Sequence, residues 1–186
     1  MTWLDTYLQG RRISQARAFL APGDRVLDIG SVDGAMFEAL DFLGEGCLGI
    51  DPTLGAPVTR KNYRLLPGYF PQDMPATGPF DAVTMLAVLE HFPKEAYNSL
   101  GEGCWRFLKP GGVIIITVPS PRVDKILAIL QKMRLVHGMS LEEHHGYEVR
   151  HTSEIFSLPC FRQICHRTFQ FNLNNIFVFE RTSVTV

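Results

Sequence analysis

The sequence is sparing in the features that mark several large protein classes. Cysteine is scarce: Cys47, Cys104, Cys160 and Cys165 are the four in 186 residues, and no two form a CxxC pair. That argues against a disulfide scaffold and leaves reduced, structural thiols as the expectation, with Cys160 and Cys165 buried in a strand. Long apolar runs are missing as well. The longest, residues 113–118, is broken by Thr117 and falls far short of the ~20 residues a membrane helix needs. Residues 1–20 carry Asp5, Arg11, Arg12 and Arg17 with no apolar stretch between them, so they do not read as a secretory leader, and a cytoplasmic protein without membrane insertion is expected. Charge of one sign is not in excess. Eighteen Lys and Arg face nineteen Asp and Glu, for a net charge of −1, and no long basic run occurs. Nothing electrostatic therefore points to a nucleic-acid partner. Internal repeats, low-complexity segments and linkers are absent too.

What is present suits a packed globular fold. Hydrophobic residues make up 46% and charged residues 20%, in a length that supports one core. Ile13, Ala16, Phe19 and Leu20 recur at helical spacing, and Pro22-Gly23-Asp24 ends that helix. Residues 25–30 read as a buried parallel strand, 35–43 as a helix and 47–51 as a second strand ending in an acid. Between residues 52 and 76 the signals weaken, with a short strand at 63–66 and no full helix. Residues 80–86 form a clear strand. Pro93 fits the first turn of a helix running to Leu108. Residues 113–118 are the most strand-like of all. A helical stripe follows over 123–133, then a polar, His-rich loop over 137–151. Thr152 or Ser153 would cap a helix through Leu158. Two last strands, at 161–171 and 176–181, would turn at Asn174-Asn175. Strands alternating with helices predict a Rossmann-like, doubly wound α/β fold. Its sheet would be mostly parallel and seven-stranded, with an antiparallel C-terminal edge hairpin.

The chemistry centres on the turn Gly30-Ser31-Val32-Asp33-Gly34, between the first strand and the next helix. Ligands of open α/β sheets bind at the carboxyl ends of the strands, and glycines there let a ligand approach the backbone. About 20 residues on, Asp51 ends the second strand, where a carboxylate can accept from both ribose hydroxyls. Turn and acid together point to a nucleoside ligand.

Three segments carry a family resemblance. Residues 26–34, Val-Leu-Asp-Ile-Gly-Ser-Val-Asp-Gly, resemble motif I (VLDxGxGxG) of the class I S-adenosylmethionine (SAM)-dependent methyltransferases. Residues 80–92 are similar to that family's fourth-strand motif, FDxVxxxxVLEH. Leu108-Lys109-Pro110-Gly111-Gly112 is similar to its LKPGG turn. The motifs occur in the family's order and cover about half the chain. The resemblance implies a transferase with SAM as cofactor and S-adenosylhomocysteine (SAH) as product. It implies one domain over residues 1–186, with a helical segment at 1–22 and an acceptor-site or lid insertion at 120–151. Gly30, Ser31 and Gly34 would shape the loop around the methionine part of SAM, and Asp28 would hold that loop or the amino group. Asp51 would bind the ribose. Asp73 would hydrogen-bond the adenine amino group, with Met74 packed near the ring. Leu86 and Ala87 would line the methionine side, and His91 would sit near the transfer centre. One residue departs from the pattern: Val32 stands where the family usually has glycine, and its branched side chain stiffens the turn.

Methyl transfer from a sulfonium asks the protein mainly for positioning, plus a base for oxygen or nitrogen acceptors. His91, His144, His145 and His151 are the candidate bases. The plainer readings are a loop-holding hydrogen bond for His91, a solvated loop for His144 and His145, and a helix-cap neighbour for His151. Glu142 and Glu143 beside these histidines are of metal-ligating types, but no recognisable spacing supports a metal. A small molecule, lipid precursor or sugar is the expected acceptor. Two other readings remain: a non-catalytic methyltransferase-like binding module, and an NAD-dependent oxidoreductase. The latter would more often show GxGxxG and leaves the other two motifs unexplained.

Overall fold

The computed structural model describes residues 3–120, 148–157 and 159–183. Its frame is one eight-stranded sheet. The strands are β1 (Val26–Ile29), β2 (Cys47–Asp51), β3 (Val58–Thr59), β4 (Tyr63–Pro67), β5 (Phe80–Leu86), β6 (Leu108–Pro119), β7 (Phe161–Phe169) and β8 (Asn174–Arg181). Their spatial order is β3-β4-β2-β1-β5-β6-β8-β7. The run β4-β2-β1-β5-β6 is parallel, whereas β3, β8 and β7 pair antiparallel with their neighbours. The Rossmann-like, mostly parallel α/β sheet is as expected. The eighth strand is the two-residue β3, too short to leave a period-2 signal.

Alternation along the strands divides the core between the two faces of the sheet. Leu27, Val83, Met85, Ile114, Ile116 and Phe179 pack on one side with Leu100, Cys104 and Phe107 of α3 (Tyr97–Phe107) and with Phe156. Val26 and Ala82 pack on the other, with Ile13 of α1 (Trp3–Arg17) and Met36 and Phe37 of α2 (Ala35–Ala39). Ala16 of α1 adds Ile115, Ile176 and Val178 to that second face. Each fully buried Leu, Ile or Phe contributes roughly 1.5–3 kcal/mol.

Several boundaries differ from the sequence expectation, each for a local reason. α1 starts ten residues before the apolar stripe at Ile13, because its first turns face a cavity rather than the core. After β5 the chain makes two 3-10 turns, Leu89–His91 and Lys94–Ala96, and the helix begins only at Tyr97; Pro93 is extended at ψ 147°. The Lys109-Pro110-Gly111-Gly112 turn is absorbed into β6, and the β5–β6 register shifts between Phe80 and Ala82. The helix α4 (Val149–Ile155) is capped by Glu148, not by Thr152 or Ser153. Asn174 and Asn175 do not form the last turn. Both are buried at the start of β8, where Asn174 Nδ2 donates to Gln170 Oε1 at 2.5 Å and Asn175 Oδ1 lies 3.1 Å from His166 Nε2. The turn is carried by Gln170, Phe171 and Asn172, all with positive φ. Cys160 and Cys165 are free and half-buried rather than fully buried. The expected helical stripe at 123–133 and most of the expected loop at 137–151 lie outside the described residues. Among the described residues no helix is long and apolar enough to cross a membrane.

Candidate active site

The chain leaves β1 for β2 on one side and, after β4, returns to β5 on the other. The crevice at the carboxyl ends of β1 and β5 is thus the topological switch point, where open α/β sheets bind ligands. A cavity of about 600 Å³ lies there. Ligand pockets commonly fall in this size range.

The loop after β1 is the floor of the cavity. Gly30 (φ +80°) has no room for a side chain: a Cβ there would lie 2.3 Å from Cγ2 of Val88. Ala87, at φ 62°, turns Val88 onto that glycine, so loop and β5 end interlock. Ser31 is buried, and its Oγ has no partner. Gly34 (φ +75°) leads into α2, its N–H donating to the Ser31 carbonyl at 2.7 Å. Val32 is held at φ 36°, a left-handed conformation that a β-branched residue rarely adopts, and its side chain is half-exposed at the cavity.

Two carboxylates stand beside this loop. Asp51 is 4% exposed; its Oδ2 accepts the Val32 N–H at 3.2 Å, and its Oδ1 accepts the N–H and hydroxyl of Thr53. Three of the carboxylate's four lone-pair sites are thus taken, and one on Oδ2 remains for a further donor. Asp28 is 5% exposed, and Oγ1 of Thr84 donates to its Oδ1 at 2.6 Å. Burial pushes the Asp28 carboxyl up to about 7; the negative charges of Asp51 and Asp33 add to the rise, and the Thr84 hydrogen bond opposes it.

The opposite wall is helical. α1 contributes Asp5, Leu8, Gln9, Arg12 and Ile13, and the segment after β5 contributes His91, Phe92 and Pro93. The Nε of Arg12 is buried without a hydrogen-bond partner, and burial lowers its guanidinium from the usual range against the charges of Glu90 and Asp5. A cation with an unpaired donor in a cavity wall awaits an acceptor. Sequence reasoning missed Arg12, because it lies among the charges of a helix judged only by its apolar stripe.

The expected site residues divide clearly. Asp28, Gly30, Ser31, Asp51, Leu86, Ala87 and His91 all line the cavity. Gly34 shapes the loop from behind. Asp73 and Met74 lie outside: Oδ2 of Asp73 accepts the Tyr69 N–H at 2.7 Å, and Met74 packs against the core. Tyr69 and Phe70 take their place in the wall. His151 also lies outside. Its Nδ1 accepts the Glu148 N–H at 3.0 Å and closes the first turn of α4, so it serves a helix cap. His144 and His145 fall outside the described residues. Among the described residues no group of three or more His, Cys, Asp or Glu is arranged to hold a metal ion.

Residues 4–174 match the family model described as a methyltransferase domain. The chain is 35% identical over 112 residues to a ubiquinone biosynthesis O-methyltransferase of Pseudomonas aeruginosa, an alignment covering 54% of this chain and 46% of that protein. The protein of the same name from Paracidovorax citrulli is 29% identical over 142 residues, covering 69% and 58%. The chain thus spans about half the length of the curated relatives it matches. The fold resembles the N-methyltransferase NodS from Bradyrhizobium japonicum (TM-score 0.65, 13% identity, covering 96% of this chain and 99% of that one). It also resembles a Burkholderia thailandensis 1,6-didemethyltoxoflavin-N1-methyltransferase with bound SAH (TM-score 0.70, 14% identity, covering 97% and 81%). With three motifs along β1, β5 and β6 and a family match over residues 4–174, the chain belongs to the class I SAM-dependent methyltransferases.

Proposed function

We propose that this chain transfers the methyl group of SAM to an oxygen atom of a small-molecule acceptor. The observation that carries this reading is one cavity that brings strand-end carboxylates and a helical wall bearing Arg12 and His91 to the same space. The donor set fits the cofactor. Gly30 lines the cavity without a side chain, the Asp51 carboxylate suits a ribose hydroxyl, and Asp28 suits an ammonium. The unpartnered Nε of Arg12 suits the methionine carboxylate.

When bound, the sulfonium supplies an activated methyl group for in-line displacement. The protein's part is to orient and to move one proton. Leu8, Phe92 and Pro93 give the helical wall apolar surface that excludes water from the transfer region. His91 is the one histidine of the described residues that lines the cavity, and its imidazole accepts the proton of the acceptor hydroxyl. An oxygen acceptor is favoured by the names of the relatives, which are O-methyltransferases.

The test is transfer of labelled methyl from SAM to a panel of phenols and catechols, with amines and carboxylates beside them. Labelled methyl ether products support the proposal. SAH binding without transfer to any acceptor would move the chain to the non-catalytic reading.

A further inference from the structure

The end of β4 closes the cavity on the side away from β5. Pro67, its last residue, is the register partner of Asp51. Gly68 follows at φ +143°, where a Cβ would lie 2.6 Å from Cβ of Asp73, so the chain doubles back tightly. Its N–H donates to the Asp51 carbonyl at 3.2 Å, which ties this turn to the end of β2. Within the turn, Tyr69 N–H donates to Asp73 Oδ2 at 2.7 Å, and Asp73 N–H donates to the Tyr69 carbonyl at 2.9 Å. The Asp73 carboxylate is therefore engaged with the turn's own backbone. Tyr69 lines the cavity and is 68% exposed in spite of its large ring. Among the described residues, the acids that line the cavity, Asp5, Asp28, Asp33 and Asp51, come from other elements.

We propose that Tyr69 is the purine-recognising residue of this site: its ring covers one face of the adenine, and none of the described carboxylates reads the exocyclic amine. This rests on the reading that the cavity holds the adenosyl cofactor. With the ribose at Asp51 and the methionine toward the loop after β1, the base extends toward β4, where Tyr69 stands. An acid accepting from the 6-amino group would reject a 6-oxo purine, whose oxygen it repels. A tyrosine ring reads the π face, which both purines present, so the site tolerates changes at position 6. The exposed ring also gains apolar burial on binding, which adds to the stacking.

The experiment is calorimetric titration of the full chain with SAH and with its 6-oxo analogue, S-inosylhomocysteine, using wild type, Tyr69→Ala and Tyr69→Phe. The ring is exposed, so both variants keep the fold, which circular dichroism melting checks. The proposal predicts wild-type Kd values for the two ligands within about threefold of each other, a loss of about tenfold for both in Tyr69→Ala, and recovery in Tyr69→Phe. A preference of about tenfold or more for SAH in the wild type overturns it, as does unchanged SAH affinity in Tyr69→Ala. Failure of the folded wild type to bind SAH at all overturns the cofactor reading, and the proposal with it.

Discussion

Two walls face each other across the cavity, and they are built differently. On one side Asp28, Gly30, Asp51 and Tyr69 sit at or just beyond the ends of β1, β2 and β4, adjacent strands held in parallel register. Backbone ladders set their spacing before any ligand arrives. On the other side Asp5, Leu8, Gln9 and Arg12 project from one helix, and His91, Phe92 and Pro93 from a 3-10 turn and the chain after it. Side-chain packing, not a ladder, sets their positions. The strand-end wall suits the rigid nucleoside, which needs fixed acceptors. The helical wall suits the methionine carboxylate and the acceptor, where chemistry needs a cation and a base. The difference teaches that binding and turnover should be separable by mutation.

The largest separation is expected at His91. His91→Gln should lower kcat by about a hundredfold or more while leaving SAH affinity nearly unchanged. Steady-state kinetics beside calorimetry reads both. Equal losses in both would merge the roles of the walls. Asp51→Ala should act in the opposite sense, weakening SAH by roughly tenfold or more through loss of a charge-assisted hydrogen bond. Its released Val32 N–H and Thr53 contacts also loosen the loop, so melting should be followed alongside.

Asp28 sharpens the comparison through pH. Its carboxyl sits at about 7 in the folded protein against an ordinary value of 3.8. Between these limits the folded chain holds a proton that the unfolded chain has released. Stability without cofactor should therefore fall as pH rises from about 4 to about 7, and then level. Asp28→Asn keeps a neutral side chain, so it should flatten that slope and stand above wild type at pH 8 by on the order of a few kcal/mol. Denaturant melts across this range test it; parallel curves for the two proteins would contradict it. The smallest effect is expected at Val32. Its left-handed backbone and half-exposed side chain predict that Val32→Gly gains about 0.5–1 kcal/mol of stability, read as a small rise in Tm, with SAH affinity changed by less than about threefold.

The same contrast explains what the sequence made legible. β1, β2 and β5 were readable because strands buried on both faces are short, mostly apolar runs; β2 ends in Asp51, and β1 leads straight into Gly30. Asp51 and the Gly30–Gly34 turn followed directly. α1 was readable only where it meets the core, at Ile13 and Ala16. The turns that carry Asp5 and Arg12 face a cavity and so lack an apolar stripe. Asp73 was assigned by its place before Pro75, yet Gly68 folds the chain so that the carboxylate meets Tyr69 N–H instead. His151 was open to two readings; in the structure its Nδ1 accepts the Glu148 N–H in the first turn of α4. The two-residue β3 is too short to show a period, and the turn at Gln170–Asn172 places Gln170 and Phe171, residues that carry no turn signature, at positive φ.

The most direct test of the two-wall account compares adenosine with SAH on wild type and Arg12→Ala. Adenosine carries the nucleoside alone, and SAH adds the amino-acid tail. The account predicts that Arg12→Ala weakens SAH by about tenfold and leaves adenosine unchanged, because only the tail carboxylate reaches the helical wall. Equal weakening of both ligands, or of neither, would contradict it.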